Sequence, residues 1–311
     1  MRIRKLLVGV AALLAAAVLA LTGFIYLAPE TATRVAIDAQ RQSAGLVRKT
    51  IELPGGLRYA YLDGGQGEPL MLLHGFGANK DNFTRVARTL TKHYRLIVPD
   101  HIGFGESSHP LDADYTPTAQ AERLRALAQA LGIHSLHLGG SSMGGQIAMI
   151  YAALHPDEVK SLWLLDPAGV WSAPESEVRK VISETGRNPL MARNEDEFER
   201  VFHFVMSDPP FVPTPMLKVM AQERIRNFAL EERIFKQLVA DSVEARISGN
   251  TTPSLIVWGD QDRAVHVGTA EVLHKLLPHS QVSIMPGVGH LPMLERPRQC
   301  AEDYLRFRAS L

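Results

Sequence analysis

The sequence predicts an α/β fold, with a mostly parallel eight-stranded sheet, helices on both of its faces and a helical cap inserted between the sixth and seventh strands. Three observations predict it. From Thr50 onward, short apolar runs alternate with stretches of helical periodicity, the pattern of a parallel sheet covered on both sides. One segment, Trp171 to Asn250, breaks that alternation with helical patterns and no strand. Finally, Gly140-Ser141-Ser142-Met143-Gly144 sets a serine in a sharp turn between an apolar run and an Ala-, Ile- and Met-rich helix.

The chain has 311 residues, with 33 basic and 33 acidic side chains. That length suits one large domain with an insertion, or two small ones. Zero formal charge leaves no basic footprint, so no nucleic-acid partner is expected. The lone Cys300 excludes an intramolecular disulfide and is expected to be a buried structural thiol.

Leu6 to Ala28 carries no charge and follows Arg2, Arg4 and Lys5. As a helix rising about 1.5 Å per residue it would reach roughly 34 Å, enough for a hydrocarbon core. A cleaved signal peptide is the competing reading. Its apolar centre is usually shorter, roughly 7–15 residues, and no clean small-x-small cleavage site follows the apolar run before Pro29. Either way the basic flank stays cytoplasmic and the bulk of the chain is exported. The expectation is a domain tethered by a single helix on the exoplasmic side (periplasmic in a bacterium), or secreted if the helix is cleaved. The expected organisation is residues 1–28 as anchor, 29–49 as juxtamembrane helix or linker, 50–170 with 251–311 as core, and 171–250 as cap.

Thr50–Leu53 and Leu57–Leu62 read as paired opening strands around Pro54-Gly55-Gly56. Pro69–Leu73 and Tyr94–Val98 are the next strands, with a helix from about Asp81 to Lys92 between them. Ala119–Leu131 is helical, with Leu124, Leu127 and Leu131 on one face. Ile133–Leu138 is the strand before the serine turn and Gln146–Leu154 the helix after it. Val159–Leu165, Ser254–Trp258 and Gln281–Ile284 complete the sheet. In the inserted segment Asn194 can cap a helix bearing Phe198, Val201, Phe202 and Val205, and a proline-punctuated stretch around Phe211 leads to Met216 and Leu217. A cap over the carboxyl ends of the strands roofs the site, so Phe202, Phe211 and Met216 are its candidate substrate-binding residues.

In a parallel sheet the reactive side chains sit in loops at those carboxyl ends. The glycines around Ser142 fit a turn so tight that strand and helix pass without room for Cβ atoms. Nucleophilic acyl transfer needs such a serine, a histidine to take its proton and a carboxylate to orient the histidine. Gly259-Asp260-Gln261-Asp262 follows one strand and Pro286-Gly287-Val288-Gly289-His290 follows the last. Asp262 is the candidate carboxylate and His290 the candidate base, in the chain order this architecture uses. Asp260, a turn-capping position, and Asp166, at the end of another strand, are the rivals for the acid. The developing oxyanion needs two backbone N–H groups: Met143, just after the serine, and Phe76 in His74-Gly75-Phe76-Gly77. His74 is expected to brace that loop. No phosphate-binding loop or H-E-x-x-H pattern is present, and neither a metal nor a cofactor is expected.

These stretches, together with Asp100-His101-Ile102-Gly103-Phe104-Gly105-Glu106-Ser107, resemble the α/β-hydrolase-fold serine hydrolases across about Thr50 to Leu311. Within that family the N-terminal apolar helix, His74-Gly75-Phe76 followed by Asn79-Lys80-Asp81-Asn82-Phe83, and the Ser142 motif are similar to membrane-anchored monoacylglycerol lipases and related bacterial lipases. The resemblance implies hydrolysis of fatty-acyl carboxylic esters without a cofactor. It implies Ser142, Asp262 and His290 as the triad and Phe76 and Met143 as oxyanion donors. Two alternatives share the fold: a carbon–carbon bond hydrolase of aromatic ring-cleavage products, and a non-catalytic binding protein.

Overall fold

The computed structural model describes residues 2–311; the Arg2 side chain, part of the basic flank, lies outside the described residues. Two helices open the chain, α1 (Arg2–Leu27) and α2 (Pro29–Ser43). A hairpin follows, β1 (Leu46–Leu53) and β2 (Leu57–Gly64), then β3 (Glu68–Leu73), α3 (Thr84–Leu90), β4 (Tyr94–Pro99) and α4 (Pro117–Ala130). Next come β5 (Leu136–Ser141), α5 (Met143–Leu154) and β6 (Val159–Leu165). Five helices lie between β6 and the next strand: α6 (Glu177–Thr185), α7 (Glu195–Val205), α8 (Thr214–Arg226), α9 (Phe228–Val239) and α10 (Glu244–Ile247). The chain closes with β7 (Ser254–Gly259), α11 (Thr269–Leu276), β8 (Ser280–Met285), α12 (Pro292–Glu295) and α13 (Pro297–Ala309).

The eight strands form one sheet in the order β1-β2-β4-β3-β5-β6-β7-β8. Only the β1–β2 and β2–β4 pairs are antiparallel; every later pair is parallel. Side chains of α4, α5 and α11 bury one face of the sheet and those of α3 and α13 the other. Trp163 of β6 stacks on Tyr304 of α13 at 4.6 Å between ring centroids, and Cys300 is wholly buried beside them. Central β5 and β7 have no exposed residue, as strands covered on both faces require, whereas edge strand β8 leaves Val282 and Ile284 partly in solvent.

Several boundaries move from the sequence reading. The first strand begins at Leu46, not Thr50, because residues 46–49 pair with the far end of β2, Leu46 opposite Gly64. The strand before Ser142 runs from Leu136 to Ser141, three residues beyond Ile133–Leu138. Gly139 and Gly140 look like a turn in the sequence, yet Leu72 and Leu73 pair with them on one side and Trp163 and Leu164 on the other. The helix expected over 81–92 is a single 3₁₀ turn, Lys80–Phe83, followed by the shorter α3.

Helix α1 is almost wholly exposed; Leu13 and Leu19 each stand 73% in the open, a surface that water solvates poorly. Among the described residues it is the one helix long and apolar enough to cross a bilayer, which is compatible with membrane anchoring. Helix α2, in contrast, packs on the domain. Ala32 and Thr33 are buried, and Arg41 Nε and Nη2 donate to both oxygens of Asp81, each at 2.7 Å.

Candidate active site

The loops at the carboxyl ends of β3, β5, β6, β7 and β8 converge above the sheet. Ser142 follows β5 immediately, with φ +53° and ψ −118°, a conformation non-glycine residues adopt only when their surroundings impose it. The surroundings are visible. Ser142 N–H donates to Leu165 O at 3.0 Å, while Ser142 O accepts from Gln146 N at 3.1 Å and Ala168 N at 3.0 Å. A Cβ on Gly140 would run into the Gly144 backbone, and one on Gly144 into the Leu73 and His74 carbonyl oxygens. The turn therefore closes only with glycine at both positions, and α5 starts directly beneath the serine.

Asp262 and His290 meet across the β7 and β8 loops. Asp262 Oδ2 accepts from His290 Nδ1 at 2.7 Å, with both side chains buried. Asp262 Oδ1 is held from the other side by Ala264 N (2.7 Å) and Val265 N (3.0 Å). This fixes His290 with Nδ1–H toward the carboxylate and Nε2 free to accept a proton. The two loops approach so closely that a Cβ on Gly259 would meet the Val288 and Gly289 carbonyl oxygens. Glu295 ties down the histidine loop: Oε1 accepts from Gly289 N (3.0 Å), and Oε2 accepts from Ser207 N (2.9 Å) and Asp208 N (2.8 Å). His290 N–H itself donates to Val205 O of α7 at 2.8 Å, so the helical insert helps seat the histidine.

The rivals for the acid take other places. Asp260 is exposed and its Oδ1 accepts from Gly287 N at 2.7 Å, bracing the β8 turn. Asp166 is fully buried at φ +45°, with Oδ1 accepting from Gly259 N at 2.9 Å. Burial, then the neighbouring Asp262 charge, pushes its carboxyl well above the usual carboxylate range.

The loop after β3 abuts the serine: a Cβ on Gly75 would stand 3.2 Å from Ser142 Cβ. Neither Phe76 N–H nor Met143 N–H is taken up by a turn or loop hydrogen bond among the described residues, leaving two donors beside Ser142. His74 is wholly buried and braces the loop, its Nδ1 against Gly75 O (2.8 Å) and its Nε2 accepting from His101 N (3.0 Å). Burial lowers its pKa to about 3, so the ring is neutral and spent on structure. Beneath this loop Lys80, 1% exposed, donates to Asp100 Oδ2 (2.8 Å) and Glu106 Oε1 (2.9 Å).

A cavity of about 350 Å³ opens onto Ser142 and Phe76. Its wall is mostly apolar: Val170 and Trp171 after β6, Val178 and Ile182 of α6, and Phe235 and Leu238 of α9. The sequence-predicted roof residues are elsewhere. Phe202 packs inside the helical insert against Phe198 and Val201, Phe211 is 92% exposed, and Met216 sits in the first turn of α8; none lines the cavity. The faces of α6 and α9 carry a signal in hindsight, as both are amphipathic, but nothing in their spacing says which apolar stripe meets the site.

The family model for the alpha/beta hydrolase fold matches residues 68–297. Lipase 1 of Psychrobacter immobilis is 45% identical over 287 residues, covering 90% of this chain and 89% of that protein. Monoacylglycerol lipase ABHD6 of Homo sapiens is 30% identical over 257 residues, covering 78% and 75%. Among solved structures, a membrane phospholipase A described as a bacterial virulence factor superposes with a TM-score of 0.88 at 38% identity, covering 99% of this chain and 98% of that one.

Proposed function

The chain belongs to the α/β-hydrolase fold family and is an ester hydrolase of the lipase and esterase kind; from that premise we propose that Ser142, Asp262 and His290 are its catalytic triad and that fatty-acyl esters are its substrates. The observation that carries the reading is the 2.7 Å bond from His290 to Asp262, set beside a largely apolar cavity that opens on Ser142. His290 Nε2 takes the Ser142 proton as Oγ attacks the ester carbonyl, and Asp262 stabilises the imidazolium that forms. The Phe76 and Met143 N–H groups receive the oxyanion, a contribution of about 3 kcal/mol for each donor. His290 then protonates the leaving alcohol, and afterwards activates the water that releases the acid from Ser142.

Among the described residues Ser142 Oγ makes no hydrogen bond to His290; such contacts commonly tighten only in the substrate complex. At about 30 Å³ for a water-sized group, the cavity takes about a dozen methylenes, which suits a medium-length acyl chain. The exposed apolar α1 supports a domain tethered to a bilayer on its exoplasmic side, where such substrates partition. Ring-cleavage chemistry is set aside, since lipase relatives at 45% identity favour ester substrates.

The test is active-site labelling of the full chain in detergent with a fluorophosphonate, alongside hydrolysis of p-nitrophenyl esters. Ser142→Ala is expected to lose both. Retention of either would overturn the assignment, and turnover of a dienoate but of no ester would revive carbon–carbon bond cleavage.

A further inference from the structure

Three side chains of the site form a cluster that the reaction, as derived, uses only in part. One carboxylate oxygen each of Asp166 and Asp262 and a ring nitrogen of His290 all lie within 4.8 Å of one another, and all three residues are buried. Their hydrogen bonds are unequal. Asp262 accepts three, from Ala264 N, Val265 N and His290 Nδ1. Asp166 accepts one, from Gly259 N, and its Oδ2 is buried without a hydrogen-bond partner among the described residues. A metal ion does not suit the trio, because the 2.7 Å hydrogen bond between His290 and Asp262 already occupies both donor atoms.

Two buried carboxyls in such a cluster disfavour ionising together, and the one with the poorer hydrogen bonding keeps a proton. The hydrogen bonds decide which. Three donors stabilise charge on Asp262, whereas Asp166 has one donor and a fully enclosed second oxygen. Of the other ionisable groups near Asp166, Glu295 of α12 adds negative charge and pushes the same way, while the Cys300 thiol, itself raised by burial, adds no charge.

We propose that Asp166 is a positioning residue for the triad: a neutral carboxyl whose Oδ2–H donates to the Asp262 carboxylate, fixing the acid that orients His290. The inference rests on the triad reading above. In the chain, Asp166 joins β6 to β7 through Gly259 and Asp262 to the β8 loop through His290, so three strand ends are locked by one shared proton. Its positive φ suits the role. Aspartate and asparagine are the non-glycine residues that enter this region most readily, and an asparagine there would keep both bonds.

The experiment compares Asp166→Asn and Asp166→Ala in the full chain in detergent. Asp166→Ala is expected to lose about tenfold in kcat, the worth of one hydrogen bond to a charged group, with little change in KM. Asp166→Asn is expected to recover most of that loss and to leave the acidic limb of kcat/KM where it stands in the parent. A downward shift of that limb by about one pH unit or more in Asp166→Asn would mean that Asp166 is ionised beside Asp262, and would overturn the proposal. Infrared difference spectroscopy at neutral pH keeps the test decisive if Asp166→Ala fails to fold. The parent minus Asp166→Asn spectrum should contain the carbonyl band of a protonated carboxyl, and a carboxylate band in its place would refute the assignment. Failure of the triad itself is read separately, as activity surviving in Ser142→Ala.

Discussion

Replacing Ile182 with Phe tests the acyl-binding role of the cavity. Ile182 and Val178 lie one turn apart on α6 and both line the cavity, together with Phe235 and Leu238 of α9. Phe carries three more carbons than Ile. At about 30 Å³ for each water-sized group, these remove about a quarter of the 350 Å³ and leave room for about nine methylenes where there had been about twelve. Each methylene denied burial forgoes about 0.8 kcal/mol, so three forgo about 2.4 kcal/mol. That corresponds to about a fiftyfold drop in kcat/KM for a twelve-carbon ester. A four-carbon ester fits within the room that remains and should be hydrolysed at nearly the parent rate. The assay is hydrolysis of p-nitrophenyl butyrate, caprylate and laurate by the full chain in detergent. An unchanged ratio of laurate to butyrate turnover would show that the acyl chain lies elsewhere, and the reasoning from this cavity would fail.

Two further outcomes follow from geometry away from the pocket. Gly144→Ala drives a Cβ into the Leu73 and His74 carbonyl oxygens, groups that cannot swing aside, so thermal unfolding should reveal a loss of about 1–3 kcal/mol or more, with activity falling as the serine turn shifts. The buried imidazoles of His74, His101 and His137 all have lowered pKa values, chiefly through burial, and regain about 6.5 when the chain unfolds. At these three sites the unfolded chain binds more protons between the folded and unfolded values, so their contribution is complete above about pH 6.5 and falls as pH drops below it, by up to about 1.4 kcal/mol per unit for each histidine, offset in part by the raised carboxyls of Asp166 and Glu231, which act in the opposite sense. Urea denaturation at pH 7 and pH 5 measures this, and equal midpoints would contradict it.

The parts of the site that could be read from the sequence are those fixed by local chemistry. Ser142 announces itself because a turn with glycines at 140 and 144 has one steric use between a strand and a helix. Asp262 and His290 follow apolar runs closely enough for strand ends to be inferred, whereas Asp260 stays a rival in the sequence and separates from Asp262 only where the structure shows the Gly287 N–H occupying it. What could not be read depends on tertiary placement. Gly139 and Gly140 are strand residues because neighbours on both sides pair with them, a fact no local propensity contains. Phe202, Phe211 and Met216 are roof candidates because they are apolar residues of the cap, and the packing of the helical insert gives the cavity wall to α6 and α9 instead. Asp166 read as a spare acid because its meaning lies in a partner 96 residues further along the chain.

The junction between α1 and α2 has a mechanical consequence. Ala28 alone separates them, and its N–H and C=O both join helical hydrogen bonds, to Phe24 O at 3.0 Å and from Ala32 N at 2.9 Å. Helix α2 is in turn pinned to Asp81, next to Lys80 beneath the Phe76 loop. A single residue therefore separates the apolar helix from a helix pinned beside the reactive loops. A bilayer that gripped α1 would hold the cavity mouth at one height and one tilt, as a bracket holds a tool rather than as a leash does. Search for substrate would then proceed by lateral diffusion of lipid to a stationary opening, and lengthening the Ala28 junction with glycines would convert that fixed mount into a swinging one.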